Sequence, residues 1–256
     1  MIYGLYLSGQ GAQAQSDRLG VLANNLANAS TGGFKRDLAL FQAHEPRDVA
    51  DGVAGNVPGN LNEMTGGVTL SEVVTDFSEG PLTQTGGTYD LALVGEGFFT
   101  VSDGRETFLT RNGQLSVNAQ GELVTADSGH AVLDVGDTPI RIPINATDVN
   151  IGADGSVFSV SADGTAAEIG KINIVRPASL DELEKVGNSL YRSSGSVTAA
   201  QDGVQVLQGH VEESGVRPVL EMMDLIEASR AFETNINMMR LQDESLGQLL
   251  QSVQQR

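Results

Sequence analysis

The chain has 256 residues, with 15 Lys and Arg against 33 Asp and Glu, for a formal charge of −18. That acid excess argues against a phosphate-neutralising surface for nucleic acid. The absence of Cys excludes disulfides, thiolate catalysis and sulfur-ligated zinc. A 40% apolar content supports one large domain or two ordinary ones rather than general disorder. With 31 Gly, no Trp and 5% aromatics, the composition favours many turns over an aromatic-centred core. No apolar run approaches the ~18 residues of a membrane span. The start, Met1-Ile-Tyr-Gly-Leu-Tyr-Leu7, lacks a basic n-region, so no secretory signal peptide is expected and export would need another route.

Residues 1 to 36 hold Arg18, Lys35 and Arg36 against Asp17; the other 220 hold 12 basic and 32 acidic groups. The first segment therefore differs in kind. A 3-4 spacing of Leu5, Ser8, Ala12, Gln15, Leu19, Leu22, Leu26 and Ala29 predicts a helix to about residue 31, stopped by Gly32-Gly33. Gly9 and Gly11 weaken its start by about 1 kcal/mol each relative to Ala, so the helix needs support. Residues 37–70, with Pro46, Pro58 and clustered Gly, read as a linker or extended arm.

From 71 to 210 short β-branched runs punctuated by Asp103-Gly104, Asn112-Gly113, Asp154-Gly155, Asp163-Gly164 and Asp202-Gly203 predict antiparallel hairpins. Leu115–Val117 with Glu122–Thr125, and Ser156–Val160 with Ile169–Val175, are the clearest strand pairs. A short helix is expected at Ser179–Lys185, where Ser179 can cap and acids follow. After Pro218 the chain carries one Gly and no Pro in 38 residues, which predicts a helix of about 57 Å. Its seam, Leu225, Ala228, Phe232, Asn235, Met239, Gln242, Leu246, Leu249 and Val253, demands a partner helix, and the first helix of this or another copy is the only long candidate. The fold class is therefore α+β: a mostly antiparallel β centre between terminal helices that pair in a coiled-coil-like way.

Catalytic patterns are not found. There is no Gly-x-Ser-x-Gly, Gly170-Lys171 is followed by Ile, and Gly95-Glu-Gly97 lacks the third Gly of a dinucleotide fingerprint. His44, His130 and His210 lack a spacing that aligns them on a metal. The acids read as solvated surface, because without Trp there is no sugar-stacking platform, and the Asp-Gly pairs read as turns rather than calcium loops. No catalytic residue, cofactor or metal is assigned.

Three segments together resemble the bacterial flagellar rod and hook family of axial proteins. They are Leu19-Gly-Val-Leu-Ala-Asn-Asn-Leu-Ala-Asn-Ala-Ser-Thr-Gly-Gly-Phe-Lys35; Gly80 to Phe99 with Thr110-Arg-Asn-Gly113 and Gly121-Glu-Leu-Val124; and Gly209-His-Val-Glu-Glu-Ser-Gly-Val-Arg-Pro-Val219 with Arg230-Ala-Phe-Glu233. Their order and spacing cover nearly the whole chain. The length favours a proximal or distal rod protein over a hook protein. Ser214-Gly215-Val216 stands where the family commonly has Ser-Asn-Val, which is expected to loosen the approach to the last helix.

The resemblance implies residues 1–36 with 211–256 as a helical inner-tube domain, 37–70 as an arm and 71–210 as an outer β domain. It implies helical self-assembly into a shaft around an export channel, and an interface at Leu19, Leu22, Asn24, Asn25, Leu26, Asn28, Phe34, Leu225, Phe232, Asn235, Met239, Leu246, Leu249 and Val253. Implied partners are copies of itself, other rod and hook proteins, the flagellar export apparatus and the basal-body rings, with no nucleic acid and no membrane insertion. The implied location is the basal body, reached without a cleaved signal. From composition and periodicity alone, an extracellular β-domain adhesin with an oligomerising C-terminal coiled coil also fits, except for the Asn-rich N-terminal helix.

Overall fold

The computed structural model describes residues 2–44, 66–200 and 203–254, with the side chains of residues 2 and 252–254 outside that description. The fold is α+β and divides into two compact units. Unit 1 comprises residues 1–27, 37–76 and 217–256, and unit 2 comprises 28–36 and 77–216.

Unit 1 is built on helices α1 (Ile2–Ala27) and α2 (Pro218–Gln254). Pro218 begins α2 where a missing N–H costs nothing, and Glu221 follows in the first turn near the positive helix end. The end of α1 falls four residues before the expected boundary. Asn28, Ser30 and Thr31 compete for backbone groups there: the Thr31 N–H donates to Asn28 O at 3.1 Å and the Thr31 hydroxyl to Asn28 Oδ1 at 3.2 Å.

α1 and α2 pack against one another and run antiparallel, as the order of their contacts requires. A Cβ placed on Gly4 would lie 3.1 Å from Gln242 Nε2, one on Gly9 3.9 Å from Met239 Cε, and one on Gly11 3.2 Å from the Asn235 amide. Gly4 and Gly11 thus make room for the Gln242 and Asn235 amides of α2, while Gly9 faces Met239 at ordinary contact distance.

Part of the segment read as an arm is a two-stranded ladder. β1 (Asp37–His44) and β2 (Gly67–Thr75) pair antiparallel with a bulge after Leu40, and both pack on α1. Leu38 and Ala39 stand opposite Val74 and Val73, apolar pairs that hold the register. The middle of the arm, residues 45–65, lies outside the described residues.

Unit 2 is antiparallel throughout the described strands. β3 (Leu82–Gln84) pairs with β18 (His210–Glu212), and β4 (Leu91–Val94) pairs with β17 (Gln205–Gln208). A nine-stranded sheet contains β5 (Phe98–Ser102), β6 (Thr107–Thr110), β7 (Leu115–Val117), β8 (Leu123–Thr125), β9 (Ala131–Val132), β13 (Ile174–Pro177), β14 (Leu183–Gly187), β15 (Leu190–Ser193) and β16 (Val197–Ala199). A three-stranded sheet holds β10 (Ala146–Ile151), β11 (Ser156–Ser161) and β12 (Ala166–Lys171).

The hairpins at Asp103-Gly104, Asp154-Gly155 and Asp163-Gly164 form as expected, each with its Gly at positive φ. Asn112-Gly113 does not make a hairpin. It is buried, and a Cβ on Gly113 would meet Leu91 O at 1.8 Å, so the Gly serves close backbone approach. The expected strand 169–175 is two, β12 and β13, broken at Ile172-Asn173. The expected helix at 179–185 is only a 3-10 turn, Leu180–Glu182. Ser179 caps it as expected, but the chain turns into β14 because Leu183 to Gly187 pair with β15. The main core is aliphatic, centred on residues such as Leu91, Val101, Leu123, Val157 and Ile172, with Phe99 and Phe108 inside it. A second cluster stacks Phe77, Phe98 and Tyr191, with centroids 5.3–5.9 Å apart.

Candidate functional site: the helix faces and a buried ion cluster

In unit 1, α2 has two apolar faces. The inner face, turned toward α1, carries Ala228, which is fully buried, with Leu225, Phe232, Asn235, Met239, Gln242 and Leu246 half-buried on the same side. The opposite face bears Val219, Met223, Ile226 and Leu241, which are 52–65% exposed. Residues 219, 223, 226, 230, 237 and 241 share one side at about 100° per residue, flanked by 233 and 234, so Arg230, Glu233, Thr234 and Asn237 interrupt this second stripe between Ile226 and Leu241. Such a bare, aligned set of large apolar side chains is what a further partner would cover.

The residues named from sequence as an interface divide between these environments. Leu22 is buried, and Leu19 and Leu26 are half-buried. Leu225, Phe232, Asn235, Met239 and Leu246 lie on the inner face of α2, engaged by α1 of the same chain, while Leu249 is exposed. The Val253 side chain lies outside the described residues. Asn24 is exposed.

Asn25 turns inward. It is completely buried, its amide donating to Asp37 O at 2.8 Å while its Oδ1 accepts the Asp37 N–H at 2.9 Å. Asp37 Oδ1 in turn accepts from Thr75 Oγ1 at 2.8 Å, so this amide fixes the start of the β1–β2 ladder. Within the single chain Asn25 is thus a structural residue, closed off from solvent.

In unit 2 the named residues Asn28 and Phe34 begin and line the segment 28–36. Phe34 is buried beneath Lys185, whose ammonium sits 4.4 Å from the ring centroid and donates to Lys35 O at 2.6 Å. Gly33 has φ +63, and a Cβ there would lie 2.5 Å from the backbone of Arg111 and Asn112, so only Gly lets the two chains pass.

Beyond Phe34 lies a charge cluster that composition does not reveal. Lys35, Arg111 and Glu212 are 1%, 3% and 1% exposed. Lys35 Nζ donates to Glu212 Oε1 at 2.5 Å and to Ser78 O at 2.7 Å. Arg111 Nη1 lies 3.5 Å from Glu212 Oε2, and its Nη2 donates to Gly95 O at 2.7 Å. The guanidinium also stacks on Phe98, 5.3 Å from the centroid. Glu212 Oε1 accepts a further bond, from Gly80 N–H at 2.9 Å.

Burial pushes the pKa of Lys35 down, the Glu212 carboxylate opposes this, and the Arg111 charge adds to the lowering. Arg111 is lowered for the same first reason, with Glu212 again opposing. One carboxylate thus serves two buried cations. Removing one partner of such a group typically costs several kcal/mol, about 3–5, because charge is left buried without its counter-ion.

Each charge comes from a different one of the three family-like segments: Lys35 closes the first, Arg111 stands in Thr110-Arg-Asn-Gly113, and Glu212 lies in the third. Nor is the third segment loose before α2. Gly215 N–H donates to Phe34 O at 2.9 Å, the Val216 N–H donates to Ser214 Oγ at 3.3 Å, and both Ser214 and Val216 are buried.

The three imidazoles do not converge. His44 Nε2 is 2.7 Å from Thr69 Oγ1 in the β1–β2 ladder, His130 packs edge-on against Phe108, and His210 Nδ1 is 3.0 Å from Gln208 O. Among the described residues no helix is long and apolar enough to cross a membrane.

Comparison with known proteins matches the same three regions. The family model for flagella basal body rod proteins covers residues 5–35, that for the flagellar hook protein FlgE/F/G D1 domain covers 92–159, and that for the flagellar basal body rod FlgEFG protein C-terminal region covers 207–252. The flagellar basal-body rod protein FlgG of Bacillus subtilis (strain 168) is 35% identical over 261 residues, spanning 98% of each chain. FlgF of Caulobacter vibrioides is 39% identical over 224 residues, 86% of this chain and 85% of the relative. FlgG of Buchnera aphidicola subsp. Schizaphis graminum is 34% identical over 269 residues, 98% and 100% of the two chains. The N-terminal match falls on the helix that the adhesin alternative left unexplained, which counts against that alternative. The chain therefore belongs to the bacterial flagellar basal-body rod protein family, a family of structural subunits.

Proposed function

We propose that the chain assembles with copies of itself, helically and through its terminal helices, into the rod section of the flagellum, a shaft that transmits torque and encloses the export channel. The observation that carries this reading is the bare apolar face of α2, at Val219, Met223, Ile226 and Leu241. Its opposite face is already occupied by α1 of the same chain. The helix pair is thus satisfied internally on one side and open on the other, which suits a subunit that is folded yet ready to polymerise. Covering each of these side chains is worth about 1 kcal/mol or more, and several together offset the repulsion between copies of an acidic chain.

Coiled-coil geometry of the pair, and an inner-wall role for residues 1–36 with 211–256, belong to the same proposal. So do neighbours among other rod and hook proteins, contact with basal-body rings, and passage through the flagellar export apparatus without a cleaved signal. Relatives named FlgG and FlgF both support a rod place, and the reading holds for either kind.

Ile226→Asp tests it. The variant should raise the critical concentration for polymer formation, read by sedimentation, at least tenfold, which corresponds to roughly 1.4 kcal/mol. Its thermal unfolding as a monomer should match the wild type. Polymerisation at the wild-type concentration would overturn the assignment of this face.

A further inference from the structure

The ion cluster of unit 2 gathers residues that are far apart in the chain. Lys35 and Glu212 are separated by 177 positions, yet each is 1% exposed and they form one hydrogen-bonded pair. The segment carrying Lys35 is held by the C-terminal segment through two backbone bonds as well. Gly33 N–H donates to Glu212 O at 2.8 Å, and Gly215 N–H to Phe34 O at 2.9 Å. Residues 28–36 follow α1 directly, and residues 210–216 lead directly into α2.

The charges give this arrangement a direction. Take away the segment 210–216 and Lys35 would enter a site whose remaining buried charge is Arg111, also a cation and 3% exposed. The Glu79 and Glu96 carboxylates act from exposed positions at the rim, and the Lys185 ammonium on Lys35 O is a further cation. Arg111 has anchors of its own in Gly95 O and the Phe98 ring, so it can stay. Lys35 would keep Ser78 O, a neutral acceptor, against a like charge in a site shielded from water. Two buried cations without the carboxylate disfavour the docked segment.

We propose that Lys35, Arg111 and Glu212 form a charge latch that makes docking of the N-terminal segment 28–36 conditional on docking of the C-terminal segment 210–216 of the same chain. Arg111 repels Lys35 until Glu212 arrives. The two stretches that lead from α1 and into α2 are then either both seated in unit 2 or both released, and a half-docked chain is short-lived. The latch concerns one molecule and stands whether or not copies assemble through α2.

Hydrogen exchange on the full-length chain reads the latch directly, through the Gly33 and Gly215 amides, with Leu123 as an internal reference because its N–H bonds to Ile140 O within unit 2. Glu212→Gln keeps the size and an acceptor oxygen but removes the charge. It should speed exchange at Gly33 and Gly215 at least tenfold relative to Leu123. Lys35→Met combined with Glu212→Gln leaves one cation, with its own anchors, and should restore protection of both glycines to within about threefold of wild type. Should Glu212→Gln alone fail to fold, recovery of a folded, protected chain in the double variant supports the latch in the same way. Unchanged protection in Glu212→Gln overturns the proposal, and so does a double variant that is no better protected than the single one, because repulsion by Arg111 would then not be what releases the segment.

Discussion

Asn25 grips the backbone of Asp37 from both sides, its amide nitrogen 2.8 Å from the Asp37 carbonyl and its amide oxygen 2.9 Å from the Asp37 nitrogen. One buried side chain thereby stands in for a β-strand partner at the point where β1 begins. Asn25→Ala leaves both half-buried Asp37 backbone groups without these bonds and empties a fully buried side-chain site. The expected cost is about 2–4 kcal/mol in urea-induced unfolding of the monomer. Asn25→Asp should also destabilise, since it offers an acceptor but no donor and adds charge beside Asp37. A loss under about 0.5 kcal/mol for the Ala variant would show that the bonds carry no weight.

Gly20 lies in the interior of α1, exposed, with no heavy atom within 4 Å of where a Cβ would go. Gly20→Ala should therefore stabilise the monomer by about 0.5–1 kcal/mol through helix propensity alone. Gly11→Leu should do the reverse, because even a Cβ there lies 3.2 Å from the Asn235 amide. If both substitutions have the same sign in thermal unfolding, α1 is not packed on α2 along this face.

Phe232 is half-buried on the inner face of α2. Phe232→Ala should lower the stability of the monomer by about 2–3 kcal/mol, less than for a fully enclosed ring. The loss should appear in guanidinium unfolding at concentrations where no polymer forms. A variant that unfolds like the wild type and fails only in assembly would place the ring between copies instead.

Asp103 Oδ1 accepts backbone N–H bonds from Glu106 and Arg105, both at 2.8 Å. The bond from Glu106 and then that from Arg105 hold its carboxyl below the ordinary value of 3.8. A folded-state value below the unfolded one adds stability that is present above the unfolded value and is lost as pH falls through the folded one. NMR titration of the Asp103 carboxyl carbon should give a midpoint below 3.8. A midpoint at or above it would mean that the turn does not hold the charged form.

With a formal charge of −18, copies repel one another, and salt should favour their association. Raising ionic strength from about 0.01 M to 0.15 M shortens the screening length from roughly 30 Å to 8 Å, and should lower the critical concentration for assembly. A rise with salt would point to ion pairs, rather than apolar contact, as the main attraction between copies.

Much of the fold is legible in the sequence because its signals are local. The 3-4 spacing along α2 picks out Ala228 and the half-buried residues beside it, and the Asp-Gly pairs place three hairpins. Non-local pairing is not legible. β1 reads as part of the arm because its partner lies beyond residues 45–65, and the turn at Leu180–Glu182 looks like a helix start until β15 claims Leu183 to Gly187. Lys35, Arg111 and Glu212 each look like ordinary surface charges in an acidic chain. The cue the sequence offers is that each lies inside one of the three family segments. On α2, periodicity finds the face that α1 covers and not the exposed apolar residues opposite it, since a single sequence cannot say which of two apolar stripes is used within the chain.

The absence of Cys makes the decisive measurement a clean one, because a single introduced thiol has no competitor. Met223→Cys places that thiol on the open face of α2, at a residue 63% exposed in the monomer. Rapid labelling by a maleimide is expected in the monomer, and at least tenfold slower labelling in the assembled polymer. Equal rates in the two states would contradict the assembly proposed for α2, since the face held to join the copies would still be in contact with water.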